Sequence, residues 1–166
     1  MKILAVNGST RASGSNRRLL ITLQKMNPNV EISHLPAQLP LFSAEKDIAP
    51  LPQPVIKWRQ QLESCNGLIV CTPEYIHGMP AQLKNAFEWV TTSGELMGKK
   101  VLAITLTPHS PRGEKAMQSL LWSLQALKAN VIASLPLYQN EIVYDGNEIV
   151  IGDAHELLTE GLNLFN

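Results

Sequence analysis

The sequence predicts an α/β fold: a doubly wound, five-stranded parallel sheet with helices on both faces. Three observations predict it. Short apolar runs alternate strictly with amphipathic stretches in five strand–helix units. The strand runs are nearly continuous in apolar residues, as strands covered on both faces are. The length of 166 residues suits one domain spanning 1–166, well short of the ~250 of an eight-stranded α/β barrel. No internal repeat or linker divides the chain.

Lys2–Asn7 reads as the first buried strand, followed by a hydroxyl-rich loop through Ser15. Leu19, Leu20, Leu23 and Met26 recur at helical spacing, and Asn27-Pro28-Asn29 stops that helix. Val30–Leu35 is a second strand. The stretch from Pro36 to Pro54 holds five of the eleven prolines and reads as a surface connection. Val55, Trp58 and Leu62 mark the next apolar helix face, and Leu68–Thr72 is a third strand. Pro80 suits the first turn of a helix lined by Leu83, Phe87 and Val90. Lys100–Thr107 is the fourth strand, and Met117, Leu120, Leu121, Leu124 and Leu127 form a helical stripe expected in the core. Val131–Leu135 is the fifth strand. Glu141–Ile151 reads as a hairpin around Asp145-Gly146, and His155–Phe165 as a closing helix.

Fourteen Lys and Arg balance fourteen Asp and Glu, so no global field draws the chain to nucleic acid or to an anionic membrane. No apolar window approaches the ~20 residues of a membrane span, and the short apolar start lacks the marks of a secretory signal. Cys65 and Cys71, six residues of extended chain apart, lie about 20 Å from each other, beyond disulfide reach. A cytoplasmic protein is expected. The four histidines show no metal-ligand spacing, so no metal is expected. Trp58, Trp89 and Trp122 fall on predicted helices, in the core or at a subunit contact.

Ligands of such sheets bind at the carboxyl ends of the strands, which singles out loops 8–15, 73–79 and 107–113. In the first, Gly8-Ser9-Thr10-Arg11-Ala12-Ser13-Gly14-Ser15-Asn16 gathers four hydroxyls and a guanidinium at a helix N-terminus, where backbone N–H groups and the helix dipole favour an anion. A polar turn with Ser13 or Ser15 as N-cap is the simpler alternative. There is no G-x-x-x-x-G-K-[ST], no G-x-G-x-x-G, no cysteine for a thiol phosphatase and no acidic pair for a phospho-acceptor. A site for a single terminal phosphate remains. In the second loop, Thr72-Pro73-Glu74-Tyr75-Ile76-His77-Gly78-Met79-Pro80 is held by prolines and can present backbone groups edge-on to a flat heterocycle.

Gly8-Ser9-Thr10-Arg11 with Asn16 and Arg17, Leu39-Pro40-Leu41-Phe42, Thr72-Pro73-Glu74-Tyr75, and Leu83-Lys84-Asn85-Ala86 with Trp89 together resemble the NADPH-dependent FMN reductases. That family includes soluble quinone, chromate and azo-dye reductases of flavodoxin-like fold, so the resemblance implies strand order 2-1-3-4-5. It implies that Ser9, Arg11, Ser15 and Asn16 hold the FMN phosphate. It sets Pro73, Glu74, Tyr75 and Ile76 along the isoalloxazine and ribityl chain, with Thr107 and His109 where the third loop meets the ring. The sequence departs from the family at Gly14 (usually serine), at Ile76 (usually asparagine) and at His109-Ser110 (usually two glycines).

The expected function is hydride transfer from NADPH or NADH through FMN to a quinone, flavin or similar small-molecule electron acceptor. No side chain is nominated as an obligatory acid or base, because the cofactor carries the chemistry. The rival readings are a flavodoxin-type electron carrier and a binding protein that has lost the flavin. A homodimer or homotetramer is expected from the resemblance, with Tyr75 and Trp89 near the mouth of the site. Arg18 is expected on the solvent face of the first helix.

Overall fold

The computed structural model describes residues 1–11, 13–146 and 148–166. Strand β1 (Ile3–Asn7) feeds helix α1 (Ser15–Met26), β2 (Val30–Ser33), α2 (Gln53–Ser64) and β3 (Gly67–Thr72). Helix α3 (Ala81–Glu88), β4 (Lys100–Thr107), α4 (Glu114–Ala126) and β5 (Asn130–Tyr138) follow. A two-stranded antiparallel ribbon, β6 (Val143–Asp145) and β7 (Glu148–Ile151), precedes α5 (Asp153–Asn163). The main sheet has the order β2-β1-β3-β4-β5, with every pair parallel.

Alternation along the buried strands divides the core in two. Leu4, Val6, Leu68, Val70 and Val101 face α2, α3 and α4, packing on Trp58, Leu62, Leu83 and Leu120. Ile3, Ala5, Ile69, Leu102 and Ile104 face α1 and α5, packing on Leu19, Leu23 and Leu158. Both sheet faces are therefore covered, which is why the central strands tolerate no polar alternation. The strand order reverses between β1 and β3, and their carboxyl ends open the crevice where such sheets take ligands.

Several boundaries differ from expectation. Strand β2 stops at Ser33, whose Oγ accepts a hydrogen bond from the Leu35 N–H at 3.3 Å; Leu35–Gln38 then winds into a 3-10 turn. Strand β5 runs on to Tyr138 through Pro136, which is tolerated because β5 is an edge strand. Pro80 occupies the N-cap of α3, one position before the helix proper. Part of the 36–54 connection is anchored rather than loose. The Asn85 side chain donates to Pro40 O at 3.0 Å and accepts from the Phe42 N–H at 2.8 Å. Trp89 Nε1 donates to the same Pro40 carbonyl at 2.7 Å and meets Phe42 edge-on, ring centroids 5.2 Å apart.

Trp89 is thus fully buried and is not near the mouth of any site, contrary to expectation; Trp58 is buried too, and Trp122 alone is exposed, at 63%. Both cysteines are buried and free. Among the described residues no helix is long and apolar enough to cross a membrane. The predicted hairpin forms as β6 and β7; Asn147 and Ala12 lie outside the described residues.

Candidate functional site

A cavity of about 280 Å³ opens at the carboxyl ends of β1, β3 and β4. Eight of the ten expected site residues line it: Ser9, Arg11, Ser15 and Asn16 from the first loop and helix, Pro73, Glu74 and Tyr75 from the second loop, and Thr107 from the third. Ile76 and His109 do not. Ile76 is wholly solvent-exposed at the tip of its turn, and His109 lies exposed with Nδ1 3.0 Å from Ser110 O. Arg112 and Gln139 line the cavity and were not singled out from sequence. Arg112 shares the Pro108–Gly113 loop with His109, and no local sequence pattern distinguishes which of the two borders the cavity.

The first loop is shaped by its own polar residues. Asn7 Oδ1 accepts from the Ser9 N–H at 3.0 Å, and Ser9 Oγ accepts from the Arg11 N–H at 3.2 Å. Such side-chain turns fix a loop without secondary structure. Gly8 has to be glycine, because a Cβ there would stand 2.7 Å from Thr72 Oγ1 at the end of β3.

Gly14, not Ser13 or Ser15, occupies the N-cap of α1, with no side-chain cap and no acidic residue in the first turn. The opening N–H donors of α1 therefore face the cavity side without a side-chain acceptor, in a field that favours an anion. Arg11 and Arg112 both line the cavity. Asn16 is buried and donates through Nδ2 to Cys71 Sγ at 3.2 Å, tying the first turn of α1 to β3. Burial pushes the Cys71 thiol up to about 12, outweighing the opposite effect of that hydrogen bond. Cys71 is a packed neutral thiol rather than a nucleophile.

The second loop is a tight turn. Tyr75 N–H and Gly78 O are 2.9 Å apart, and Gly78 N–H and Tyr75 O 3.1 Å. Ile76 and His77 between them both adopt positive φ, 48° and 55°. Such a pair of central residues suits asparagine or glycine; a β-branched residue there is strained.

Glu74 does not present its carboxylate to the cavity as a free acid. Its Oε2 accepts from the Gly113 N–H at 3.2 Å and the Ala116 N–H at 3.1 Å, capping α4. Gly113 itself, at φ 104°, needs glycine to make the approach. Thr107 Oγ1 donates to Arg112 O at 2.6 Å, closing the same loop from β4. Loops two and three are thus clasped together by Glu74.

Arg18 is not the solvent-facing residue expected. Its guanidinium lies 3.9 Å over the Tyr144 ring and donates to Gly146 O, pinning the β6–β7 ribbon to α1. Thr22 Oγ1 strengthens that seam by accepting from the Ile149 N–H at 3.0 Å.

Known proteins resemble the chain in sequence and in fold. Residues 1–140 match the model of the NADPH-dependent FMN reductases. The quinone reductase of Escherichia coli K12 is 27% identical over 175 residues, covering 99% of this chain and 93% of that protein. The NADPH azoreductase of Bacillus sp. OY1-2 is 26% identical over 156 residues, covering 94% and 83%. The solved structure of the flavoenzyme NAD(P)H:(acceptor) oxidoreductase FerB from Paracoccus denitrificans superposes with a TM-score of 0.78 at 22% identity, covering 99% and 95%. At that identity the likeness speaks for the fold.

Proposed function

From the premise that the chain belongs to the NADPH-dependent FMN reductase family, we propose that residues 1–166 act as one FMN-binding reductase domain. It takes reducing equivalents from NADPH or NADH and delivers them to a quinone, a flavin or a similar small acceptor. The observation that carries this reading is the uncapped start of α1, with no acid in its first turn, opening on a cavity walled by Arg11 and Arg112. That donor set fits a terminal phosphate: neutral N–H and hydroxyl donors supplemented by charge, with no competing carboxylate but one already bonded elsewhere.

In this reading Ser9, Ser15 and the first N–H groups of α1 hold the phosphate, and Arg11 neutralises it. Asn16 sets the pitch of that turn against β3. The backbone of Pro73, Glu74 and Tyr75 borders the flat ring system, and Thr107 and Arg112 face it from the third loop. When bound, FMN supplies two-electron chemistry between a nicotinamide and the acceptor; the residues around it orient it and set the charge of its surroundings.

Self-association as a homodimer belongs to the same proposal. Trp122 on α4 stands out beside half-buried Met117 and Leu121, and aromatic residues and methionine of this kind are enriched at interfaces. The cytoplasm suits two buried free thiols.

The test is anaerobic. FMN is added to purified protein, then NADPH or NADH, and flavin absorbance is followed before and after a quinone is supplied. Bleaching by the nicotinamide and recovery with the quinone are expected. An FMN that binds yet stays oxidised would leave only an electron carrier, and equal affinity for riboflavin and FMN would remove the phosphate site.

A further inference from the structure

The first loop rests on the first turn of α3, and two contacts hold it there. A Cβ at Gly8 would stand 3.0 Å from Leu83 Cδ2, so the chain leaves β1 pressed against that helix. Beside Leu83, the Gln82 side chain donates through Nε2 to the Asn7 carbonyl at 3.1 Å. A carbonyl only accepts, so the amide nitrogen of Gln82 is the atom that faces it.

Asn7, the last residue of β1, passes the restraint on. Its Oδ1 accepts from the Ser9 N–H at 3.0 Å, and Ser9 Oγ accepts from the Arg11 N–H at 3.2 Å. Three hydrogen bonds therefore run in series from α3 to Arg11. Ser9 and Arg11 line the cavity, whereas Gln82 and Asn7 do not. Ser9 is buried, and its oxygen is engaged as an acceptor. Its hydroxyl proton makes no bond among the described residues and is left to donate. Holding the Arg11 N–H on that oxygen narrows the directions in which the proton can point.

We propose that Gln82 is a positioning residue for the phosphate of FMN: it holds Asn7 so that Ser9 and Arg11 keep the placement a terminal phosphate needs. The inference rests on the functional reading just given and deepens it. Gln82 lies two residues after Pro80, where the second loop runs into α3. The loop that borders the ring and the loop that holds the phosphate are thereby joined through one amide. This tie is separate from the Glu74 clasp, which joins the second loop to the third. A loop ordered in advance gives up less freedom when its anion arrives.

Gln82→Met keeps the length of the side chain and removes the donor, whereas Gln82→Ala removes both. FMN and riboflavin are each titrated by fluorescence quenching against the wild type and the two variants. Both variants should bind FMN about three- to tenfold more weakly, the worth of one hydrogen bond, with riboflavin affinity unchanged. In ligand-free protein, amide exchange at Ser9 and Arg11 should quicken while exchange in β4 keeps its wild-type rate. Equal losses for FMN and riboflavin would overturn the proposal, because a merely structural role weakens both. A loss in Gln82→Ala that Gln82→Met restores would assign the effect to packing and overturn it too. So would unchanged FMN affinity, or unchanged exchange at Ser9 and Arg11. Should both variants fail to fold, Asn7→Ala cuts the same series one bond further on, and the same loss confined to FMN is expected. A wild type that takes no FMN would instead defeat the functional reading, and the exchange comparison would still decide for or against Gln82.

Discussion

Glu74 Oε2 lies 3.1 Å from the backbone nitrogen of Ala116, so a side chain of the second loop caps the helix that follows the third. With its companion bond to Gly113, this contact fixes the distance between the two loops that border the cavity. Glu74→Ala leaves two N–H groups of the first turn of α4 without an acceptor. It should cost about 1–2 kcal/mol and weaken FMN binding. Glu74→Gln keeps an acceptor oxygen and should recover most of the FMN affinity. Urea unfolding and fluorescence titration on the same variants check both.

Arg11→Ala should weaken FMN binding by about tenfold or more, ~1.4 kcal/mol, and leave riboflavin binding unchanged. Arg18→Ala is the informative partner. It should spare FMN affinity but loosen the ribbon of β6 and β7, raising amide exchange in Tyr144 and Asp145. Equal effects of the two substitutions on FMN would mean that Arg11 acts only through surface charge.

Ile76 holds φ 48° with its side chain wholly in solvent. Its backbone conformation costs a β-branched residue about 1–2 kcal/mol, a cost that asparagine largely avoids. Ile76→Asn should therefore raise the urea midpoint at an unchanged slope, with FMN affinity kept or improved. A lowered midpoint would show that the turn does not strain the isoleucine.

The Cys71 thiol, at about 12 in the folded protein against 9.0 ordinarily, stays protonated where the unfolded chain has released its proton. Its contribution is fully present below pH 9 and is lost as pH rises from about 9 towards 12. Stability of the wild type should fall more steeply over that range than that of Cys71→Ala. Below it, thiol reagents should modify Cys71 only after unfolding.

Trp122→Glu should convert the proposed homodimer to an 18.3 kDa monomer in sedimentation at micromolar concentration, with FMN binding retained. A wild type that already sediments as a monomer would end the proposal.

The sheet was legible because Lys2–Asn7, Leu68–Thr72 and Lys100–Thr107 are apolar on both faces, and that pattern has few other solutions. The first loop's place at the cavity was legible because its polar residues are contiguous: hydroxyls, glycines and Arg11. The capping role of Glu74 is not legible in sequence, because its partner helix begins forty residues later after a loop with no capping signal of its own. Trp89 and Asn85 carry the family resemblance in sequence, but their purpose is tertiary. Both hold Pro40 and Phe42 in place, a tertiary bond that no periodicity reports. Ile76 looked like a lost ligand contact. In the fold the position asks first for a residue that tolerates positive φ.

Under the proposed reading, the bare beginning of α1 would tie upkeep of the chain to nutrition. A ligand that occupies those donors binds only the folded form, so it shifts the folding equilibrium by mass action, by about 2.7 kcal/mol at a hundredfold excess over Kd. That is a sizeable part of a typical domain's entire margin of 5–15 kcal/mol. In a flavin-starved cell the same polypeptide would open more often, meet proteases more often and be cleared sooner. Its abundance would then follow the supply of the cofactor with no dedicated regulator.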